Sequence, residues 1–373
     1  SSTILYRPAQ IRRSGGFRDV SDILLAAPSD ISHACKLPPS EVNKIISLIY
    51  REHAQPSRPL QSFLSNADES FTTGDSELDT ILGGGITTAM VWEVVGESAA
   101  GKTQLALQLA LLVQLPRDLG GISGSACYIT IASHLQTSRL QQILDAHPLL
   151  SPPCCTFSDV QTVQTPTIPK LIHVLSTFLP QYMENASKNP SSKPLKLLVI
   201  DALAELFHSA GKTTTRTLIE RSRQLSKISF HLRLLASKYR IAVLVLNEVI
   251  DVVDRDEPFS RDPISYREQS RLFGRADSVA GEDRKEAALG LVWANQVNAR
   301  ISLTRTGRRR YLDENETPKK RSAVGGVPAS QRAIAPVDDQ PVLIRRLSVI
   351  FSSVAKPASC DYIVTAEGIS VIP

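Results

Sequence analysis

Residues 96 to 103 read Gly-Glu-Ser-Ala-Ala-Gly-Lys-Thr, the GxxxxGK[ST] spacing of a loop that wraps phosphate. Each residue type has a task there. Gly96 and Gly101 let the backbone of Glu97, Ser98, Ala99 and Ala100 curl so that N–H groups face an anion, and the N-terminus of the next helix adds a favourable dipole. Lys102 reaches the β and γ oxygens, and the Thr103 hydroxyl ligates Mg²⁺. The chemistry is that of ATP held with Mg²⁺; the bland alternative is a tight strand-to-helix turn that binds nothing. A second carboxylate belongs with it. Leu197-Leu198-Val199-Ile200 is an apolar run ending in Asp201, and an aspartate there either caps a helix or completes the Mg²⁺ shell. A phosphate loop upstream favours the metal role.

These side chains need elements that aim them. From Phe71 onward short β-rich runs alternate with helical ones, the pattern of a mostly parallel sheet covered by helices on both faces, an α/β fold. Strands are expected at Val91–Val95, Ala126–Ile131, Leu195–Ile200, Ile241–Leu246, Gly290–Trp293 and Ile344–Phe351, with a final strand pair ending at Pro373. Helices are expected at Lys102–Gln114, Ser138–Ala146, Thr167–Met183 and Thr217–Lys238. Residues 1–54 form a small helical N-terminal domain. There Ser21-Asp22 caps one segment, Ser29 caps the next, and Ser40 precedes the amphipathic stripe Val42, Ile45, Ile46, Ile49. Residues 55–70 read as a linker, and 71–373 as the core. Arg255–Ala287 reads as a long mobile loop, and about 308–340 as a disordered insertion.

The segments Thr72-Thr73-Gly74-Asp75-Ser76-Glu77-Leu78-Asp79, Leu82-Gly83-Gly84-Gly85-Ile86 and the loop itself resemble the entry to the ATPase core of the RecA-type recombinases. Ala99-Gly101-Lys102-Thr103-Gln104-Leu105, Gly120-Gly121, Arg139-Leu140-Gln141-Gln142, Trp293-Ala294-Asn295-Gln296 and Tyr362-Ile363-Val364-Thr365-Ala366-Glu367-Gly368-Ile369 are similar to the eukaryotic recombinase-paralogue branch. The resemblance covers about 71–307 and 344–373. It implies a RecA-type P-loop ATPase core that binds ATP near a subunit interface and acts in homologous recombination repair. By the same resemblance, Arg139 stacks on the adenine; the alternative is an exposed helix arginine. The implied partners are another recombinase paralogue, the strand-exchange recombinase and single-stranded DNA.

Departures from that pattern matter as much. The family's water-activating glutamate lies after the second core strand, where Tyr128-Ile129-Thr130-Ile131-Ala132-Ser133 places Ala132. Such a loss costs about 10²–10⁴ in rate while phosphate and Mg²⁺ contacts survive, so binding with slow hydrolysis is expected. Glu97 is either a rescuer or a solvated side chain. Asn247-Glu248 stands where the family's γ-phosphate-sensing Asn-Gln pair would be, and a carboxylate facing a triphosphate is repelled unless a cation intervenes; the alternative is that Glu248 points to solvent. The two DNA loops would be about 207–217, with Lys212 and Arg216, and 251–290, where seven basic residues meet ten acidic. By that count the second is no strong phosphate surface.

Composition sets the outer limits. The chain has 373 residues and a net charge of +5, concentrated in Arg305–Arg321. There Arg308-Arg309-Arg310 and Lys319-Lys320-Arg321 resemble a two-part nuclear localisation signal. DNA attraction and a solvated charge run are the other readings. Cys35, Cys127, Cys154, Cys155 and Cys360 lack CxxC or Cys/His spacing, which argues against a disulfide framework or zinc site and for a reducing compartment. No apolar run approaches the ~20 residues of a membrane helix, and no signal-peptide region opens the chain, so a soluble intracellular protein with no membrane partner is expected. The first residue is serine, which leaves the true start open. Phe63-Leu64-Ser65-Asn66-Ala67 is one residue too long for the FxxA tether of self-polymerising recombinases, and Phe207-His208-Ser209-Ala210 is misplaced, so pairing with a different subunit is favoured. The competing functions are a helicase-like DNA-dependent ATPase, which Ala132 disfavours, and a nucleotide-independent structural adaptor.

Overall fold

A computed structural model describes residues 17, 23, 26–53, 69–150, 154–189, 192–208, 214–251, 285–311 and 341–372. It divides into two compact units, residues 1–67 and 68–373.

In the first unit, helices α1 (Pro28–Cys35) and α2 (Pro39–His53) follow one another. Val42, Ile45 and Ile49 on α2 bury against Ile23 and Ile31, with Ile46 partly covered, as the i, i+3, i+7 stripe demands. Ser29 does not cap α1. The helix begins at Pro28 with Ala27 as its cap residue, and no side chain takes the cap hydrogen bond. Proline suits a first helical position because its missing N–H would be unpaired there. Ser21 and Asp22 lie outside the described residues, as does most of the linker.

The second unit is built on one large sheet, in order β12-β11-β10-β9-β3-β7-β6-β4-β5. Its strands are β3 (Val91–Gly96), β4 (Ser125–Thr130), β5 (Val160–Gln164), β6 (Leu195–Asp201), β7 (Ala242–Asp251), β9 (Ala299–Arg310), β10 (Val342–Ser352), β11 (Ser359–Thr365) and β12 (Gly368–Val371). β8 (Lys285–Ala287) pairs antiparallel with β7. The six strands from β9 to β5 run parallel, and β10 to β12 extend the sheet antiparallel. A separate pair, β1 (Ser70–Phe71) and β2 (Ile86–Thr87), flanks helix α3 (Ser76–Ile81).

The central strands are continuous apolar runs because both faces are covered. Leu197 and Val199 of β6 join one core with α4 (Lys102–Leu112), and Leu198 and Ile200 join the other with α8 (Thr215–Tyr239). Residues 105 to 112 of α4 are all buried, as befits a helix apolar all round. α5 (Thr137–Ala146) covers the same face. The expected helix at Thr167–Met183 is α6 (Ile168–His173), a π-helical turn (Val174–Phe178) and α7 (Leu179–Ala186). Pro180, with no N–H to give, accounts for the altered turn.

Two further expectations fail. Gly290–Trp293 is a helix, α9 (Gly290–Ala294), which buries Trp293 in the α8-side core; an apolar run this short fits either period. Arg308 to Arg310 do not begin an insertion, for they close strand β9, with Arg309 opposite Leu343 and Arg310 opposite Val342. The rest of that insertion, including Lys319-Lys320-Arg321, lies outside the described residues, as do 252–284 of the expected mobile loop. Among the described residues no helix is long and apolar enough to cross a membrane.

Candidate nucleotide-binding site

Parallel strands of an open α/β sheet place their carboxyl ends, and the loops beyond them, along one edge where ligands bind. A cavity of about 710 Å³ lies there, lined by Lys102, Thr103, Asp201, Glu205, Glu248 and Arg139 among others. Its floor is the 96–103 loop. At the tip of β3 a side chain on residue 96 would stand 2.4 Å from the Leu303 carbonyl oxygen of β9, so only glycine fits. Gly101 takes φ +108° and Ala99 φ +61°, left-handed conformations of the kind from which anion-binding backbone nests are built.

Three braces fix the loop from the C-terminal strands. Tyr362 of β11 donates from its hydroxyl to the Ala100 carbonyl. Arg345 of β10 donates Nε to the Ala99 carbonyl at 3.1 Å. Arg305 of β9 donates Nε to Glu97 Oε2 at 2.6 Å. Glu97 is thus neither solvated nor aimed at a reacting water, since an ion pair occupies it. Sequence reasoning missed all three braces, because charged and polar residues on the C-terminal strands carry no motif.

Lys102 Nζ donates to the carbonyls of Gly96 (2.7 Å) and Glu97 (2.8 Å). Burial pushes its ammonium below the ordinary lysine value, opposed by the charges of Glu248, Asp201 and Glu97. Thr103 Oγ1 donates to Asp201 Oδ2 at 3.0 Å, and Tyr128 Oη donates to the same oxygen at 2.7 Å. Burial foremost, then Asp201, raises the Tyr128 phenol well above its usual range, so it stays a donor. Arg139 sits at the far end: its Nε donates to Gln104 Oε1 (2.5 Å), and its other nitrogens donate to Gln142 and to the carbonyls of Thr365 and Ala366. That network holds the guanidinium plane rigid at the rim.

The expected Asn247-Glu248 pair is split. Asn247 turns into the sheet, where Nδ2 donates to Glu93 Oε1 (2.7 Å) and Oδ1 accepts from the Ala204 N–H (3.0 Å). Glu93 also takes Arg300 Nε at 2.7 Å, both side chains being almost wholly buried. Glu248 lines the cavity rather than facing away from it. Ala132 is exposed just beyond β4, and Glu205 reaches its backbone from the turn after β6. Of the DNA-loop residues, Arg216 is exposed on the first turn of α8, and Lys212 lies outside the described residues. No group of three or more His, Cys, Asp or Glu side chains that could hold a metal by itself occurs among the described residues.

A model of the Rad51 family matches residues 69–265, just over half of the chain. The chain belongs to the Rad51 family. It is similar to the DNA repair protein XRCC3 homolog of Arabidopsis thaliana, 31% identical over 316 residues that cover 83% of this chain and 95% of that protein. The DNA repair protein RAD57 of Saccharomyces cerevisiae is 31% identical over 253 residues, 66% of this chain, which spans about half (53%) of the yeast protein. The DNA repair protein XRCC3 of Mus musculus is 28% identical over 381 residues, covering 98% and 95% of the two. Rad51-family domains generally bind nucleotide with Mg²⁺, and the RecA-type α/β fold expected from the sequence is the fold of this chain.

Proposed function

We propose that this Rad51-family chain is an ATP-binding recombinase paralogue of homologous recombination repair. It acts in the nucleus, in complex with another paralogue, and assists the strand-exchange recombinase on single-stranded DNA. The observation that carries the nucleotide part is the Thr103–Asp201 hydrogen bond beside a desolvated Lys102, over a loop that Ala99 and Gly101 turn left-handed. A hydroxyl and a carboxylate are the hard oxygen donors that suit Mg²⁺, which keeps its remaining places for water and phosphate. The cavity also needs such a cation. Asp201, Glu205 and Glu248 line it with Lys102 and Arg139, and carboxylates repel a bare triphosphate.

In this reading Thr103 and Asp201 hold the Mg²⁺, which supplies charge neutralisation at the β and γ phosphates when bound. The loop N–H groups and Lys102 hold phosphate oxygens, Lys102 exchanging its carbonyl partners for them. The Arg139 plane takes the adenine by stacking. With Ala132 lacking a carboxylate, binding is tight and turnover slow.

The test is equilibrium binding of Mg-ATP to the full chain, beside turnover with and without single-stranded DNA, for wild type and Lys102→Ala. Binding that the substitution abolishes is the expected result. Absence of binding in wild type would overturn the reading and leave a nucleotide-independent adaptor.

A further inference from the structure

Four carboxylates stand in or beside the cavity, and three of them are already committed. Asp201 accepts from Thr103 and Tyr128. Glu97 is held by Arg305. Glu248 stands opposite Gly96 in the β3–β7 register and is the largest charge acting on Lys102. Glu205 differs from all three. It lies on the short 3₁₀ turn Leu203–Phe207 that follows Asp201, lines the cavity, and hydrogen-bonds through its carboxyl to the backbone of Ala132. Its Oε2 is buried without any hydrogen-bond partner.

Nor is Glu205 loosely hung. Leu203 and Ala204 beside it are buried, and the Ala204 N–H is tied to Asn247, then to Glu93 and Arg300 in the middle of the sheet. A carboxylate on so rigid a mount, with an oxygen left unsatisfied, calls for a functional account.

We propose that Glu205 orients and deprotonates the attacking water, entering from the turn after β6 to fill the place vacated at Ala132. This rests on the reading of the cavity as a Mg-ATP site. The water oxygen bonds to the γ-phosphorus while the bond to the β–γ bridging oxygen breaks. ADP departs with that electron pair, and the water proton passes to the Glu205 carboxylate and from there to the released phosphate. Burial first, then the charges of Asp201 and Glu248, raise the Glu205 carboxyl above an ordinary glutamate, the direction that makes a carboxylate a better base.

The experiment uses the full chain and compares wild type, Glu205→Gln, Glu248→Gln and the double variant Ala132→Glu/Glu205→Gln. Each is measured for single-turnover ATP hydrolysis and for equilibrium affinity towards a non-hydrolysable ATP analogue with Mg²⁺. Glu205→Gln should cut hydrolysis about 10²-fold or more, the scale of a general base, with analogue affinity kept within about threefold. The double variant should regain at least tenfold. Hydrolysis kept by Glu205→Gln would overturn the proposal, as would loss of analogue affinity in step with rate, which marks a metal-holding role. Wild type that binds the analogue but never hydrolyses ATP would also overturn it while leaving the nucleotide reading intact. Wild type that does not bind the analogue would sink both.

Discussion

The two sides of the cavity are built to different standards. On the holding side, formed by the 96–103 loop, α4 and the tip of β6, the side chains that would grip phosphate and metal all have partners: Lys102 with two carbonyls, Thr103 with Asp201, and Asp201 with Tyr128. On the reacting side, at the end of β4, Ala132 offers no carboxylate of its own, its backbone is reached by Glu205, and one oxygen of Glu205 is unpaired. The contrast teaches that gripping a nucleotide and cleaving it are separable properties of this architecture. One can be kept while the other is rebuilt from a different element.

The comparison breaks most severely at what the two sides share. Arg300→Met leaves the Glu93 carboxylate buried without its counter-charge, held by Asn247 alone, and removal of one partner from a buried ion pair costs about 3–5 kcal/mol. Denaturant unfolding should report that loss, and both binding and hydrolysis should fall with it. The holding side alone is addressed by Lys102→Ala, which should weaken Mg-ATP binding about 10²–10³-fold, the scale of truncating a buried charge contact. Fluorescence titration reads it, with stability of the free protein nearly unchanged. The same lysine gives a pH signature. Because burial lowers its folded value below 10.5, the holding charge is lost as pH rises through the lowered value, so affinity should decline at less alkaline pH than an ordinary lysine would dictate.

A smaller effect separates metal from phosphate. Asp201→Asn should reduce the enhancement of nucleotide affinity by Mg²⁺ about tenfold, corresponding to roughly 1.5 kcal/mol for a contact to a charged group, as a Mg²⁺ titration at fixed nucleotide would show. Smallest is Ala99→Gly. It relieves a left-handed alanine at φ +61°, and should stabilise the free protein by no more than about 1 kcal/mol, since the gain is offset by the greater freedom of glycine in the unfolded chain. A cost instead would mean the Ala99 methyl packs usefully inside the loop.

What the sequence disclosed follows from how local each signal is. The loop, Asp201 and the central strands were legible because a phosphate loop is contiguous and a strand buried on both faces is an unbroken apolar run. Arg139 was placed by family likeness, and its carbonyl partners Thr365 and Ala366, more than 220 residues away, were invisible. β9 was missed because Arg300, Arg305 and Arg308–Arg310 make it read as polar. In the fold Arg300 is swallowed by Glu93, Arg305 grips Glu97 and Arg308 pairs with Asp361. Glu205 had a signal of sorts, a carboxylate four residues beyond Asp201, but only the turn that brings it to Ala132 gives it meaning.

The buried Glu93–Asn247–Arg300 triad has a consequence for how the chain finds its fold. Its members come from β3, β7 and β9, the strands at the middle of the sheet, and Glu93 and Arg300 are 207 residues apart in the chain. Parallel strands of similar apolar character could exchange places with little loss of hydrophobic contact, yet any exchange here strands a carboxylate or a guanidinium in a dry interior. The triad therefore works as a topological proofreader: it penalises wrong strand orders more than it stabilises the right one.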